Sequence, residues 1–155
     1  MRLVLQRVHR AKVEADGVVT GSIGRGLLIL LGIRPSDGPG DVTWLCDKVP
    51  RIRVFEDDTG RMNRSLSDIA GDVMVISQFT LYGNLRKGTR PSFNDAAPPE
   101  VAEPLYRSFL LELEASVGRP VAAGSFGACM RIESELDGPV TLILDSGRKD
   151  PPRRG

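Results

Sequence analysis

An uninterrupted apolar run at residues 27–31 (LLILL), with a glycine directly before and after it, constrains the fold more than any other feature. Such a run suits a β-strand that is covered by protein on both faces. We therefore expect it to be the central strand of a sheet. Ahead of it, residues 3–8 read as a strand, and Asp16-Gly17 before Val18 is the turn signal of a β-hairpin. The chain is thus predicted to begin with antiparallel sheet.

Two helices are predicted after this sheet. Apolar residues at helical spacing follow Asp41, which can cap the first helix, and Pro50 ends it. Residues 98–100 (PPE) suit the start of the second helix, which Gly118 and Pro120 stop. Its apolar stripe at four-residue steps, predicted to be buried, consists of Val101, Leu105, Phe109 and Leu113.

Further strands are predicted at 51–55, 73–79, 128–136 and 140–144. Side chains alternate along 128–136, which indicates one buried and one wet face, and residues 137–139 (DGP) are expected to break the chain before the last strand. The predicted fold class is α/β, a single domain with a mostly antiparallel or barrel-like sheet and two main helices. The domain spans residues 1–145, and 146–155 is expected to be a basic, disordered tail.

The balance of charge limits how this chain can bind nucleic acid. The formal net charge is +1, so no global field attracts a polyanion and any binding depends on local clusters. One cluster is Arg86, Lys87 and Arg90 in a long loop, and the basic tail is another. The alternative is that they are merely a solvated loop and a frayed end.

Cysteine usage and hydropathy indicate a cytoplasmic protein. Cys46 and Cys129 are far apart in sequence and are expected to be buried structural thiols. The first residues lack the pattern of a secretory signal, and no apolar run reaches the roughly 18 residues of a membrane span. We expect no membrane partner.

The residue types argue against several kinds of chemistry. His9 is the single histidine, and its alternating strand predicts a solvent-facing side chain rather than a member of a Ser-His-Asp triad. The chain has no closely spaced cysteine pair, no histidine pair on a helix turn and no nucleotide-binding glycine pattern. Neither a metal nor an organic cofactor is expected.

Two short motifs remain as candidates for a site. Residues 77–82 (SQFTLY) place two hydroxyls and an amide where a buried strand emerges into a loop. Ser77, Thr80 or the backbone N–H groups around Phe79 can face a reacting carbonyl and stabilise its oxyanion. The alternative is an ordinary strand end whose hydroxyls bond to neighbouring backbone. Residues 137–141 (DGPVT) can present bare carbonyls to a ligand, or can form a plain turn.

Together, residues 77–81 (SQFTL) and 138–141 (GPVT) resemble the two signature motifs of the canonical D-aminoacyl-tRNA deacylases, also called D-tyrosyl-tRNA(Tyr) deacylases. Their order and distance match the family, and the similarity continues through the connecting segments as far as Leu144. These segments are 6–8, 26–32, 62–63, 90–93 and 126–130. The chain is identified as a member of this family.

The resemblance implies an enzyme that hydrolyses the ester between tRNA and a D-amino acid, or glycine mischarged on tRNA-Ala. The implied assembly is a homodimer with its active site at the subunit interface. In it the Gly138-Pro139 peptide, cis in the family, reaches into the partner subunit's pocket, where its carbonyls leave no room for an L side chain. By the same resemblance, Arg7 holds this motif in place, and Met130 and Leu81 support the pocket.

The resemblance also assigns catalysis to the first motif, at Ser77, Gln78, Phe79 and Thr80. One view makes Thr80 the nucleophile. The other gives catalysis to a water helped by the 2′-hydroxyl of the terminal adenosine, with backbone contacts from Ser77 and Phe79. We favour the second view, because a threonine nucleophile normally has an adjacent base and 77–82 contains no His, Lys or carboxylate.

The basic loop residues Arg86, Lys87 and Arg90 are then expected to contact acceptor-stem phosphates, which position a substrate without reading its sequence. One departure from the family is Leu136, where Asn is common; we expect Leu136 on the buried face beside Met130. Two other functions stay open: a non-catalytic nucleic-acid-binding protein on the same fold, and an esterase that acts on small D-amino esters.

Overall fold

The computed structural model describes residues 1–148, and residues 149–155 lie outside the described residues. In chain order the described residues form strands β1 Arg2–Ala15, β2 Val18–Ile23 and β3 Gly26–Gly32, helix α1 Pro39–Lys48, strands β4 Arg53–Glu56, β5 Met62–Ser65 and β6 Asp72–Ser77, helix α2 Pro99–Val117, and strands β7 Ala122–Ala123 and β8 Met130–Asp145. The predicted α/β class with two main helices is confirmed.

Six of the strands in residues 1–148 form one curved sheet, in the order β2-β1-β3-β6-β7, with β8 also paired to β1. β1 is antiparallel to β2, β3 and β8, whereas β3, β6 and β7 run parallel. β1 changes partner along its length, because residues 2–8 pair with β3 and residues 11–15 pair with β2. The sheet therefore curls into a nearly closed, barrel-like layer.

Strand β3 lies in the middle of this order and is covered on both faces, as predicted. Leu27, Ile29 and Leu31 pack into the main core, which both helices line. Leu28 packs into a second core on the other face, together with Ile76 of β6. Two cores on opposite sides of one strand explain its continuous apolar sequence.

The predicted hairpin between β1 and β2 is also confirmed. Asp16 and Gly17 have φ values of 51° and 76°, the left-handed pair that a tight two-residue hairpin turn requires. Ala15 and Val18 pair directly across it. The turn sets the register of the first two strands.

Both helices form, with differences in detail. In α1 the N-cap is Gly38, and Asp41 lies in the first turn, where its carboxylate accepts a hydrogen bond from the Gly38 N–H at 3.0 Å. The prediction that Asp41 is the cap is therefore wrong. In α2, Val101 is on the exposed side, because mixed three- and four-residue steps turn the stripe towards Ala102, Tyr106, Phe109 and Leu113. Within residues 1–148 neither helix is long and apolar enough to cross a membrane.

Strand β8 runs through residues 137–139 without a loop, so the predicted division into two strands is wrong. Its pairing with β1 is interrupted there: Leu136 is opposite Val8 and Thr141 is opposite Gln6, which leaves residues 137–140, here called the Gly138-Pro139 turn, without a pairing partner on β1. Leu136 is 43% exposed rather than buried beside Met130. The register shift next to Leu136 interrupts the simple alternation on which that expectation depended.

The sequence predicted a disordered tail from residue 146, but residues 146–148 are ordered. Ser146–Arg148 form a short 3-10 helix, and Ser146 is buried. Its N–H donates to the Met1 carbonyl at 2.9 Å, and its Oγ accepts a hydrogen bond from the Met1 amino group at 2.7 Å. These contacts join the end of β8 to the start of β1. The rest of the predicted tail lies outside the described residues.

The two cysteines differ in environment. Cys46 is buried between the helices, and its thiol donates to the Phe109 carbonyl at 3.5 Å. Cys129 is exposed just before β8, so the expectation of a buried thiol is wrong there. A small residue in an apolar stretch is not buried when that stretch lies at the edge of the sheet.

Candidate active site

Residues 77–82 leave the sheet at the end of β6. The strand ends at Ser77, two residues before its predicted end, and the following Gln78 N–H still donates to the Leu31 carbonyl of β3 at 2.7 Å. Phe79–Tyr82 then form one turn of 3-10 helix. Ser77 and Gln78 are half-buried, whereas Phe79 and the next residue are exposed. The motif is an anchored strand end with an exposed tip.

A cavity of about 640 Å³ opens beside this motif. Its volume suits a small ligand, and apolar side chains make most of its lining. The ends of β3 and β6, the segment before α2 and the segment that leads into β8 each supply part of the wall. Besides the motif, the lining residues are Leu31, Ile33, Ile76, Phe93, Ala96, Ala97, Pro98, Pro99, Ala102, Phe126, Gly127, Ala128, Met130 and Ile132.

The structure brings part of the predicted catalytic set to this cavity. The predicted residues that line it are Ser77, Gln78, Phe79 and Met130. The lining combines one hydroxyl and one amide with apolar walls. A carbonyl compound bound here would meet few competing polar groups.

Thr80 and Leu81 do not line the cavity. The Thr80 hydroxyl is exposed and accepts a hydrogen bond from the Gln78 side-chain amide. An amide does not take up a proton, so this contact does not activate Thr80 as a nucleophile. Leu81 is half-buried against Gly32 of β3, where it supports the motif from behind.

Phe79 and Phe93 form an aromatic rim at the cavity. Their rings meet edge to face, with centroids 5.1 Å apart and planes at 74°. The two side chains remain 57% and 37% exposed. Sequence reasoning missed Phe93 as a site residue, although an aromatic residue in a polar loop, three residues after Arg90, was an available signal.

The second motif is held by Arg7. This arginine is buried, and its Nη1 donates to the Val54 carbonyl of β4 at 2.6 Å. Its Nη2 donates to Asp137 Oδ1 at 3.1 Å, and its Nε lies 3.0 Å from Asp137 Oδ2. His9 Nε2 is 3.7 Å from the same carboxylate, and its side chain is 54% exposed, as the alternation predicts. Arg7 thus joins β1, β4 and β8 beside Gly138.

The Gly138–Pro139 peptide bond is cis, as the family resemblance implies. Gly138 has φ +121°, a conformation that L side chains rarely adopt. A Cβ at this position would lie 3.0 Å from the Val140 backbone nitrogen and 3.2 Å from Arg7 Nη2. Glycine is therefore required here both by backbone conformation and by space.

Gly138 and Pro139 are exposed, and in residues 1–148 they do not line the cavity beside Ser77. Arg7 also lies away from it, against a separate small gap that Val54 and Val140 line. The two motifs thus belong to different surfaces of the single chain.

The basic residues Arg86, Lys87 and Arg90 are all exposed. Their loop is closed at its base, where Asn84 and Ser92 exchange backbone hydrogen bonds of 2.8 and 2.9 Å. Because Phe93 follows this base directly, the loop starts next to the aromatic rim. Among the described residues, no three His, Cys, Asp or Glu side chains are grouped as a metal site would need.

An apolar cavity with a few polar groups, at the strand ends of a barrel-like α/β domain, defines a ligand-binding site. The sequence profile of the D-Tyr-tRNA(Tyr) deacylase family matches residues 4–145. The chain belongs to this family.

Individual relatives cover almost the whole chain. A D-aminoacyl-tRNA deacylase from Opitutus terrae is 57% identical over 150 residues, 97% of this chain and 100% of that protein. One from Roseiflexus castenholzii is 53% identical over 99% of this chain and 97% of its own. The solved structure of a c-Myc DNA unwinding element binding protein is similar with a TM-score of 0.87 at 40% identity, over 94% of this chain and 98% of its own.

Proposed function

We propose that this protein is a D-aminoacyl-tRNA deacylase, which hydrolyses the ester between a D-amino acid and its tRNA. The observation that carries the proposal is the motif at 77–79, which lines an apolar cavity of about 640 Å³ in a chain of this family. The relatives from O. terrae and R. castenholzii bear the name of this activity. Since aminoacyl-tRNA is consumed in the cytoplasm, the enzyme would act there.

The proposed reaction needs little acid–base machinery from the protein. Water attacks the ester carbonyl carbon, and negative charge develops on the carbonyl oxygen. The bond from this carbon to the ribose oxygen then breaks, and the ribose oxygen takes up the proton that the attacking water has lost. The N–H groups of Phe79 and Thr80 begin a 3-10 turn, and such groups have no partner within their own helix. Since Phe79 lines the cavity, its N–H is suited to stabilise the oxyanion. The Ser77 hydroxyl and Gln78 amide orient the substrate.

In this mechanism the nucleophile is a water that the 2′-hydroxyl of the terminal adenosine assists. The contact between Gln78 and the Thr80 hydroxyl supports this choice. The Gln78 amide donates to that hydroxyl and cannot remove its proton, so it does not turn Thr80 into a nucleophile. If Thr80 were the nucleophile instead, the D-aminoacyl group would be transferred to its Oγ, and Thr80→Ala would abolish hydrolysis.

We propose that chirality is read by a homodimer, in which the Gly138-Pro139 turn of one subunit faces the cavity of the other. Both residues are exposed on a strand that also exposes Leu136, Leu142 and Ile143, the last by 71%. Large apolar side chains left exposed on a strand are available for an interface. Main-chain atoms that crowd the substrate Cα would exclude an L side chain, ignore a D side chain and admit glycine on tRNA-Ala.

The basic loop is the proposed contact for the acceptor-stem phosphates. Arg86, Lys87 and Arg90 are exposed beside the aromatic rim, so one tRNA end can reach both. Phosphate contacts of this kind make binding weaken steeply as salt is added.

The non-catalytic alternative is favoured by one observation, the similarity to a c-Myc DNA unwinding element binding protein. That likeness concerns the fold of the whole chain. A nucleic-acid-binding protein would need the basic loop but no cavity. An esterase of small D-amino esters would need the cavity but no basic loop.

Hydrolysis of D-Tyr-tRNA and L-Tyr-tRNA by the purified protein, with chelator present and with Thr80→Ala in parallel, tests the proposal. We expect rapid hydrolysis of D-Tyr-tRNA alone. The rate should not change when chelator is added, and Thr80→Ala should retain most of it. Binding of tRNA without cleavage of either ester would overturn the proposal in favour of the binding protein.

A further inference from the structure

The far end of the 77–82 segment is closed by a cluster of charged residues that no proposed catalytic step uses. Tyr82 is buried, with the Arg2 guanidinium 4.9 Å from its ring centroid and the Arg34 guanidinium at 5.6 Å. Burial raises the pKa of Tyr82 to about 12. The ring is thus a neutral, buried group that two cations contact.

Arg2 uses both edges of its guanidinium group. Nη1 donates to the Leu81 carbonyl at 3.0 Å, while Nε and Nη2 donate to Asp145 Oδ2 at 3.0 and 2.9 Å. Arg2 and Asp145 are directly opposite in the pairing of β1 with β8. A planar, forked cation is required for two such contacts at once, so lysine is not an equivalent residue.

Asp145 is itself held in place. Its Oδ1 accepts a hydrogen bond from the Gly147 N–H at 2.9 Å. Partial burial acts to raise the pKa of Asp145, but this bond and the contact with Arg2 outweigh it and hold the pKa below its ordinary value. The carboxylate therefore stays ionised and keeps Arg2 pointed at the Leu81 carbonyl at neutral pH.

The tip of the motif needs support from its ends, because Phe79 and Thr80 are exposed. At one end the Gln78 N–H is fixed to the Leu31 carbonyl at 2.7 Å. At the other end the Leu81 carbonyl is fixed by Arg2 at 3.0 Å. The short 3-10 turn between these contacts is clamped to β3 on one side and to the β1–β8 pair on the other.

We propose that Arg2 is a positioning residue for the hydrolysis. Through the Leu81 carbonyl it holds the 3-10 turn so that the Phe79 N–H keeps its place at the cavity. Asp145 acts one step further away, by orienting Arg2. This inference rests on the proposed function, since it assigns Arg2 a part in the same site.

The chain contains a control pair of the same charge types, which is more exposed than Arg2 and Asp145. Arg10 of β1 is opposite Glu135 of β8, and their side chains form an ion pair at 2.9 Å. Arg2→Met and Arg10→Met therefore each remove one cross-strand arginine–carboxylate pair between the same two strands. Arg2 in addition bonds the catalytic segment.

The test measures kcat and KM for D-Tyr-tRNA in both variants, together with hydrogen exchange of the peptide that covers residues 79–83. Arg2→Met is expected to lower kcat about tenfold, because small misplacements of catalytic groups are costly, with KM nearly unchanged and faster exchange in 79–83. Arg2→Lys should recover only part of kcat, and Arg10→Met should match the wild type in both measurements.

Unchanged kcat in Arg2→Met, or an equal loss in Arg10→Met, would overturn the positioning role. The exchange measurement separates this failure from that of the proposed function. If the wild type does not cleave the D ester, the proposed function fails, and unchanged exchange in Arg2→Met would then also refute the clamp.

Discussion

The 77–82 segment and the Gly138-Pro139 turn are both bends beside the same sheet, yet they are completed in different ways. The first is tied at both ends and lines a cavity that its own chain builds. The second is held from behind by Arg7 and presents its exposed main chain outward, away from that cavity. One region lines a cavity of its own chain, and the other lies exposed on the surface.

This difference agrees with the proposal that one subunit supplies the catalytic groups and the other supplies the chiral selection. Chemistry on an ester needs donors fixed around the reacting carbonyl, which a single chain can supply. Rejection of one enantiomer needs a rigid obstacle on the side opposite those donors. A second copy of the chain can supply that obstacle with no additional fold, because a two-fold dimer presents the same turn twice.

The largest expected effect comes from removing one N–H at the cavity. Phe79→Pro deletes the proposed oxyanion donor at the first position of a 3-10 turn, where proline is well tolerated. We expect kcat for D-Tyr-tRNA to fall by about 100-fold or more, with native thermal stability. Phe79→Leu keeps the N–H and should retain most activity. Equal activity in the two variants would contradict a backbone oxyanion site.

At the outward-facing turn, Gly138→Ala is expected to be damaging for steric reasons. The new Cβ would lie 3.0 Å from the Val140 nitrogen at φ +121°, so stability should fall by about 1–3 kcal/mol and the D-to-L rate ratio should drop. Urea unfolding and the two deacylation rates measure this. In the control Gly40→Ala, the added Cβ meets no atom within 4 Å. Wild-type selectivity in a destabilised Gly138→Ala would show that this turn does not read chirality.

A smaller effect is expected in the basic loop. Lys87→Ala with Arg90→Ala should weaken tRNA binding about three- to tenfold and reduce its dependence on salt, because fewer phosphate charges are neutralised. Hydrolysis of a D-aminoacyl-adenosine, which lacks the stem, should not change. Arg107→Ala on α2 is the control, since Arg107 is exposed but lies on a different element. A loss of activity on the short substrate would assign the loop to the pocket instead.

The smallest expected effect is a difference in reactivity between the two thiols. Cys46 reports on the core, and Cys129 reports on the segment that leads into β8. Burial raises the pKa of Cys46 to about 12, so at pH 8 this thiol stays protonated and inert. Native protein should react with a thiol reagent at Cys129 alone. Unfolding in urea should expose Cys46 and make it reactive as well. Cys129→Ser should show no native reaction. Fast native labelling of Cys46 would mean that the two helices separate readily.

The sequence predicted those elements whose residue pattern depends on neighbouring residues in the chain. Strand β3 and the Asp16-Gly17 turn were predicted correctly. Burial on two faces requires a continuous apolar run, and a left-handed turn favours residues such as Asp and Gly. The predicted break at 137–139 was wrong because β8 pairs with β1 on both sides of residues 137–140, and that pairing depends on the partner strand.

The site was only partly predictable for the same reason. Ser77 and Phe79 belong to a motif that can be recognised, whereas Phe93 and Ala97 reach the cavity from a different segment of the chain. The role of Arg2 was not visible, because its bond to the Leu81 carbonyl joins residues far apart in sequence. The exposure of Leu136 was missed because strand alternation fails next to a register shift.

In the proposed dimer, each active site combines the cavity of one subunit with the Gly138-Pro139 turn of the other. Mixed dimers of Phe79→Pro and Gly138→Ala, formed by refolding the two variants together, test this shared site. In a random mixture half of the Gly138→Ala cavities face the intact turn of a Phe79→Pro partner, so L-Tyr-tRNA hydrolysis should fall to about half of the average of the two separate variants, while D-Tyr-tRNA hydrolysis stays at that average. L-Tyr-tRNA hydrolysis equal to the average of the two separate variants would contradict a site shared between subunits.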